Sequence, residues 1–319
     1  MNKFRPQRLE DLIGNDKIKK ILKFEIEAVK KSERTFPDTL IIGDSGCGKT
    51  TLAQIIANEL NASINIVQAK RIKNNKDILK AIPDAEEGQF YFLFVDEVHE
   101  MSIPIQEEFF TMMEDHYLDI SDFTTQYEKK NNITLNKVMT NYLTIIAATT
   151  KEGLLDIPFR NRFGLELILE KYNQNDIEKI IEKAASKLLT KISNDAIIEI
   201  AKRSRGVPRR ALALLERLES IAIVKNQIID TSIAKEAWDL LDIDEMGLTQ
   251  QDRKVLYTLK LNKPMGLKVL ADQTEMSLRS IEVIEPYLVS LNLVERTPQG
   301  RLLTLKGKEY LSKRSKKQK

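Results

Sequence analysis

The segment from Gly43 to Thr50 carries the residues best suited to hold a phosphate group. It reads Gly-Asp-Ser-Gly-Cys-Gly-Lys-Thr and fits the phosphate-binding pattern G-x-x-x-x-G-K-[ST]. Glycines let backbone N–H groups curve around a β-phosphate, the Lys49 ammonium reaches the β and γ oxygens, and the Thr50 hydroxyl binds Mg²⁺. A chance match is the alternative, and the strand-like run before the segment and the helical pattern after it argue against one. We therefore predict that this segment, called the P-loop below, binds ATP with Mg²⁺.

An acidic pair supplies the second half of a hydrolytic site. Asp96 and Glu97 directly follow another apolar, strand-like run. The Asp96 carboxylate would complete the Mg²⁺ shell, and Glu97 would polarise the attacking water. Such a pair is a weak signal alone, but after a P-loop it favours hydrolysis over mere binding. Thr149 and Thr150 end a third apolar run, and either could bond the γ-phosphate or that water.

Three arginines are candidates to stabilise charge on the phosphates. Arg160 and Arg162 lie in the segment Phe-Arg-Asn-Arg-Phe-Gly. They are either ordinary surface charges or the source of an arginine supplied in trans to a neighbour's γ-phosphate. Which of the two acts in trans stays open. Arg209 lies at the start of a later helix, where it either faces the nucleotide or is merely solvated.

The elements that must position these side chains form an α/β domain. Residues 15–30 and 50–60 have apolar side chains at helical spacing. Short apolar runs at 39–42, 91–95 and 143–148 read as buried strands. Strands that alternate with helices predict a parallel sheet with helices on both faces.

The remainder of the chain reads as a helical domain followed by a winged helix. Residues 175–244 carry a helical pattern without a strand-like run. Helix-like stretches near 249–261, 266–273 and 277–291 then precede a hairpin at 294–304. Three helices and a hairpin, in this order, are typical of a winged helix-turn-helix.

Composition indicates a soluble intracellular protein. The 319 residues are 42% hydrophobic and 30% charged, with 50 basic against 47 acidic residues. One cysteine excludes a disulfide framework, two histidines leave little for a metal site, and no apolar run is long enough to span a membrane. We expect a cytoplasmic protein with no membrane partner.

The single cysteine, Cys47, lies inside the P-loop, where a redox switch is a minor alternative to an inert loop residue.

The winged helix carries the positive charge. Residues 246–319 hold 15 lysines and arginines against 7 acidic residues, a formal charge of +8. Arg296, Arg301 and Lys306 would line the hairpin and contact phosphates of double-stranded DNA without reading sequence. Docking of a protein is the alternative, since winged helices serve both purposes. The few aromatic residues of this segment, Tyr287 and Tyr310 among them, offer no evident stacking platform, so single-strand binding is disfavoured.

Taken together, these motifs resemble the RuvB family of AAA+ ATPases, which drive branch migration of Holliday junctions. The resemblance extends over nearly the whole chain, and its narrowest motifs are the Arg-Asn-Arg-Phe-Gly block and the Arg-Thr-Pro-Gln-Gly-Arg wing. The motifs follow the family's order: Asp96-Glu97-Val98-His99, Met113-Glu114-Asp115, Ala148-Thr149-Thr150, Arg160 to Gly164, Pro208-Arg209 and Arg296 to Arg301.

The resemblance implies a role for individual residues. Lys49 and Thr50 look like Walker A, Asp96 and Glu97 like Walker B, Thr149 or Thr150 like sensor 1, Arg162 like the arginine finger and Arg209 like sensor 2. The implied nucleotide-binding set, adenine contacts included, is Arg5, Pro6, Ile13, Gly14, Gly43, Gly46, Cys47, Gly48, Lys49, Thr50, Thr51, Tyr172, Pro208 and Arg209.

The resemblance also implies domains and partners. We expect an AAA+ α/β domain at 1–171 with a hairpin insertion at about 119–142, a helical lid at 172–246, a winged helix at 247–312 and a disordered basic tail at 313–319. The family acts as a homohexamer on duplex DNA and four-way junctions, coupled through the hairpin to the junction-binding protein RuvA. Here residues 121–141 are longer and more polar than in the family, so the partner could differ.

Two other functions stay open. One is a clamp-loader-like or initiator-like AAA+ switch, in which ATP controls DNA loading without sustained movement. The other is a DNA-binding regulator whose ATPase is vestigial, and the intact Lys49, Asp96 and Glu97 argue against it.

Overall fold

The computed structural model describes residues 4–32, 34–82, 90–120, 137–260 and 263–317. The chain divides into two compact units. The first comprises Met1–Lys187 and Gly206–Ala213, and the second comprises Leu188–Arg205 and Leu214–Lys319.

The first unit is built on a parallel sheet. Its helices are α1 (Asp16–Ser32), α2 (Lys49–Glu59), α3 (Asn75–Ala81), α4 (Ile103–Glu114), α5 (Ile157–Arg160) and α6 (Gln174–Ala185). Its strands are β1 (Thr39–Ile42), β2 (Ser63–Gln68), β3 (Tyr91–Asp96), β4 (Tyr117–Asp119), β5 (Lys137–Met139), β6 (Leu143–Thr149) and β7 (Leu165–Ile168). The five-stranded sheet has the order β2-β3-β6-β1-β7, and all its pairs are parallel. The predicted α/β class is therefore confirmed.

Alternation along the strands fills a core on each face of this sheet. Leu40 and Leu93 belong to the core that includes residues of α3 and α4. Their neighbours Ile41 and Phe92 belong to the core that includes residues of α1 and α2. Because successive strand side chains point to opposite faces, a strand buried on both faces must be apolar throughout. For this reason β1, β3 and β6 can be recognised in the sequence as continuous apolar runs.

The predicted hairpin insertion has its base in the structure. Strands β4 and β5 pair antiparallel, with Leu118 opposite Val138. Residues 121–136, which include most of the polar stretch of the predicted insertion, lie outside the described residues.

The second unit contains helices followed by a winged helix. Its elements are α7 (Asn194–Arg203), the later part of α8 (Pro208–Lys225), α9 (Thr231–Leu240), α10 (Gln250–Leu259), α11 (Leu267–Thr274), α12 (Leu278–Ser290), β8 (Val294–Thr297), β9 (Gly300–Leu303) and α13 (Leu305–Lys317). Strands β8 and β9 form the antiparallel wing. Helices α10, α11 and α12 and the hairpin fall where the sequence predicts them, and together with Leu311 of α13 they form one apolar core.

The C-terminal segment differs from the prediction. Helix α13 continues to Lys317, whereas we expected disorder from residue 313. The helix is anchored because Leu311 is buried and Arg314 lies 3.4 Å from Asp242 and 3.6 Å from Asp244. Among the described residues, no helix is both long and apolar enough to cross a membrane.

Candidate functional site

The P-loop forms an open cradle between β1 and α2. Gly46 and Gly48 have φ values of +84° and +110°, a region that favours glycine. A Cβ atom added to Gly48 would meet only the Tyr172 hydroxyl oxygen, at 3.9 Å, so the space in front of this residue is free. Helix α2 begins at the next residue, Lys49. Exposed N–H groups at a helix N-terminus are suited to bind a phosphate.

Lys49 is held by the loop it serves. Its side chain is buried, and its Nζ donates to the carbonyl oxygens of Gly43 at 2.7 Å and Asp44 at 3.3 Å. Burial lowers the pKa of Lys49, while the charges of Glu97 and Asp96 oppose the shift. The ammonium group is thus positioned in the cavity, with only neutral carbonyls as hydrogen-bond partners that a phosphate would replace.

Asp96 and Glu97 stand at the carboxyl end of β3, on the sheet edge that also carries the P-loop. Burial raises the pKa of Asp96, and the adjacent Glu97 charge adds to the shift, against the pull of Lys49. A divalent cation would relieve this repulsion. Thr50 and Asp96 both border the cavity and offer the oxygen ligands that Mg²⁺ prefers. Within the described part of the chain, no three His, Cys, Asp or Glu side chains cluster as a metal site. A cation here would therefore take its other ligands from phosphate and water.

The two threonines that end β6 have different contacts. Thr150 donates its hydroxyl to Glu97 Oε2 at 2.9 Å and its backbone N–H to the same oxygen at 3.3 Å. Thr149 is fully buried, and its Oγ1 lies 3.0 Å from His99 Nδ1 and accepts the Lys151 N–H at 3.0 Å. Of the two candidates, Thr150 is the one that contacts Glu97 directly.

A cavity of about 370 Å³ connects these parts within the first unit. It is lined by fourteen of the predicted site residues: Arg5, Pro6, Ile13, Gly46, Cys47, Gly48, Lys49, Thr50, Thr51, Asp96, Glu97, Tyr172, Pro208 and Arg209. Four of the residues predicted for nucleotide binding and catalysis do not line it: Gly14, Gly43, Thr149 and Arg162. Gly14 lies close beneath the Tyr172 ring, where an added Cβ would be 3.1 Å from Cε1.

The sequence did not reveal the apolar part of the cavity wall. Phe4, Leu12, Ile180, Ala184 and Leu212 line the cavity as well. They suit the flat apolar surface of a nucleobase. No sequence signal separates them from ordinary core positions.

Close packing brings the Arg209 segment to the P-loop. The Arg209 N–H donates to the Gly46 carbonyl at 3.4 Å, and the Tyr172 N–H donates to the Gly206 carbonyl at 3.3 Å.

Burial raises the pKa of Tyr172 to about 12, so its phenol stays neutral. Burial likewise raises the pKa of Cys47, which disfavours the reactive thiolate. This favours an inert loop residue over a redox switch at Cys47.

The two arginines after β6 are distinguished by their partners. Arg160 donates to both carboxylate oxygens of Glu166, at 2.7 and 2.6 Å. Arg162 pairs with Glu114, and its guanidinium lies 5.1 Å from the centre of the Phe110 ring. Both arginines thus have a carboxylate partner within their own chain, and the pair made by Arg160 is bidentate.

The three predicted DNA contacts all have partners. Arg296 and Arg301 lie on the wing as predicted, but Lys306 lies in the first turn of α13 and not on the hairpin. Arg296 and Arg301 donate from Nε to Glu285 Oε1, at 3.1 and 2.5 Å. Glu285 is buried, yet the bonds from the two arginines lower its pKa against the opposing effect of burial. Lys306 donates to the Leu291 carbonyl at 2.9 Å. Arg296 is the more exposed of the two arginines, 55% against 21%.

Comparison with known proteins gives a consistent result along the chain. The P-loop domain model of the Holliday junction DNA helicase RuvB matches residues 4–169, the RuvB AAA lid model residues 172–244, and the RuvB C-terminal winged helix model residues 245–312. The RuvB subunit of the Holliday junction branch migration complex from Campylobacter hominis is 39% identical over 311 residues, covering 96% of this chain and 89% of that protein. The corresponding Campylobacter fetus subunit is 40% identical over 306 residues, covering 95% and 87%. A solved structure of the Thermotoga maritima RuvB Holliday junction branch migration motor matches with a TM-score of 0.83 at 33% identity, covering 97% of this chain and 98% of that one.

Proposed function

This chain belongs to the RuvB family, and we propose that it is an ATP-driven motor that moves Holliday junctions along duplex DNA. The observation that carries the proposal is the cavity in which the P-loop, the acidic pair and the Arg209 segment meet. It lies in a chain that matches its relatives over almost their whole length.

We propose ATP as the nucleotide and Mg²⁺ as its cation. The phosphates would lie against the N–H groups of Gly46 and Gly48, with Lys49 exchanging its carbonyl partners for phosphate oxygens. Thr50 and Asp96 would hold the cation. Bound there, Mg²⁺ would neutralise phosphate charge that develops during transfer. The apolar wall and the neutral Tyr172 would hold the base.

Glu97 is the residue we assign to activate water. Its carboxylate borders the cavity, and its Oε2 oxygen is held by Thr150. A fixed carboxylate can orient a water molecule for attack on the γ-phosphate at little entropic cost. Arg209 would stabilise the charge that develops on the phosphates.

Assembly would complete the site. Arg162 lies outside the cavity of its own chain, so we propose that it acts on ATP bound to an adjacent copy. A ring, with six subunits as the family implies, would give every site such a neighbour. We propose duplex DNA and four-way junctions as substrates, a RuvA-like junction-binding protein as a partner, and the cytoplasm as the location.

The wing would contact DNA through its outer charges. Arg296 keeps more than half of its side chain exposed while Glu285 fixes its orientation, so it suits a phosphate contact. Arg301 and Lys306 would support the same surface. The domain limits 1–171, 172–246 and 247–312 remain our proposal for how these functions are divided.

The proposal is tested by measuring the ATP turnover of the protein by itself, with linear duplex DNA and with a four-way junction. Glu97→Gln is the matched blank, because it keeps the shape of the side chain. A motor gives turnover that DNA stimulates strongly in the parent and not in the blank. Turnover that ignores DNA, with or without a RuvA-type protein, would contradict the motor. Weak turnover with nucleotide-dependent DNA binding would favour the loader-like switch, and no effect of Glu97→Gln would favour the vestigial ATPase.

A further inference from the structure

His99 lies in the turn that directly follows Glu97, and its ring is close to the Glu97 carboxylate. The turn that carries it begins at Glu97, whose φ of +52° is unusual for a residue with a side chain. Residues Val98–Glu100 then form a single 3₁₀ turn, closed by the Glu100 N–H on the Glu97 carbonyl at 2.8 Å. Val98 is buried in the core and fixes this turn to the sheet. The sequence Glu-Val-His therefore doubles back, and the imidazole returns to the carboxylate two residues before it.

The contacts of His99 link three groups. Its ring is 9% exposed, and Nδ1 lies 3.0 Å from Thr149 Oγ1 and 3.4 Å from Glu97 Oε2. The Thr149 hydroxyl oxygen also accepts the Lys151 N–H, which fixes it at the end of β6. Oε2 of Glu97 can only accept, and it receives two bonds from Thr150. With a proton on Nδ1, the ring donates to the Thr149 hydroxyl oxygen and turns the same N–H side towards Oε2 of Glu97, which lies within ion-pairing distance.

We propose that His99 is a positioning residue for ATP hydrolysis: with Thr149 it fixes the Oε2 oxygen of Glu97, so that Oε1 is left to orient water. This inference rests on the proposed ATPase function. It also gives each of the two threonines a separate task. Thr150 holds the carboxylate directly, and Thr149 holds it through the imidazole.

Because Nδ1 and not Nε2 of His99 makes these contacts, substitutions that replace one or the other nitrogen should have different effects on turnover. An asparagine amide can reach the place of Nδ1, whereas a glutamine amide reaches further, towards the place of Nε2. His99→Asn should therefore retain much of the turnover, and His99→Gln and His99→Phe should lose about 10- to 100-fold in kcat, as a displaced catalytic group does. The KM for ATP should change little, since none of these variants alters the P-loop. A ring needed only for packing would instead favour His99→Phe over His99→Asn.

The experiment is steady-state ATP turnover of the full chain with duplex DNA, combined with binding of a fluorescent ATP analogue. His116→Asn is the control, because His116 is the other histidine, is exposed, and has a φ of +54° that asparagine tolerates. In the double variants with Glu97→Gln, the substitutions at His99 should cause no further loss. A kcat that falls equally for Asn, Gln and Phe, or a further loss on the Glu97→Gln background, would overturn the proposal. A parent protein that hydrolyses no ATP would instead refute the proposed function.

Discussion

Asp38 gives the clearest quantitative test of the fold. It precedes β1, and its Oδ1 accepts the Ile145 N–H at 2.7 Å. Burial raises the pKa of this carboxyl from 3.8 to about 7, while the bond from Ile145 opposes the shift. A folded-state pKa above the unfolded value means that the folded protein binds more protons between pH 4 and pH 7. Stability should therefore fall as the pH rises through this window.

The magnitude follows from the shift. One pKa unit is worth about 1.4 kcal/mol, so a shift of three units is worth at most ~4 kcal/mol. The side chain keeps part of its contact with water, so we expect about half of that. Asp38→Asn keeps the Oδ1 acceptor but removes the charge. Its free energy of unfolding should exceed that of the parent by about 2 kcal/mol at pH 8, and the difference should vanish near pH 4.

Urea unfolding followed by far-UV circular dichroism, from pH 4 to pH 8, measures this difference. Asp115→Asn, at an exposed position, controls for the general loss of one negative charge. An Asp38→Asn protein that is no more stable than the parent at pH 8 would refute the reasoning. A difference that does not depend on pH would refute it as well.

Three further predictions concern the site. Gly206→Ala should destabilise the protein by about 2 kcal/mol or more and weaken ATP binding, because φ is +70° and the added Cβ would lie 2.7 Å from the Tyr172 carbonyl oxygen. Thermal unfolding and nucleotide titration measure the two effects, and a melting temperature equal to that of the parent would contradict the prediction. Glu97→Gln should keep ATP affinity within a few-fold but lower turnover at least ~100-fold, as loss of a catalytic base does; equal losses of binding and turnover would contradict the assignment. Cys47 should react with iodoacetamide much more slowly at pH 7.5 in the native protein than in urea, because burial raises its thiol pKa; rapid native labelling would revive the redox switch.

The elements predictable from sequence are those whose environment is uniform along the chain. Strands β1, β3 and β6 are covered on both faces and read as apolar runs. Strand β2 lies at the sheet edge, and the residues of Ser63–Gln68 are all exposed or half-buried, so its pattern resembles a loop. Strand β7, at the other edge, has only Leu167 buried. Edge strands are held by pairing with a neighbour, and pairing leaves little trace in one sequence.

The site divides in the same way. The P-loop is local in sequence, so its glycines and Lys49 could be assigned from spacing alone. The bond between Thr150 and Glu97 joins residues 53 positions apart and depends on β3 and β6 being neighbours. The link from His99 to Thr149 has the same origin. Contacts of this kind require the register of the sheet, which the sequence pattern does not specify.

Branch migration itself tests the central claim most directly. The substrate is a synthetic four-way junction with homologous arms, one strand fluorescently labelled, incubated with ATP, the full chain and a RuvA-type protein. We predict ATP-dependent conversion of the junction into duplex products by the parent and none by Glu97→Gln. Junctions that remain unconverted while the parent hydrolyses ATP on the same DNA would contradict the account of this chain as a branch migration motor.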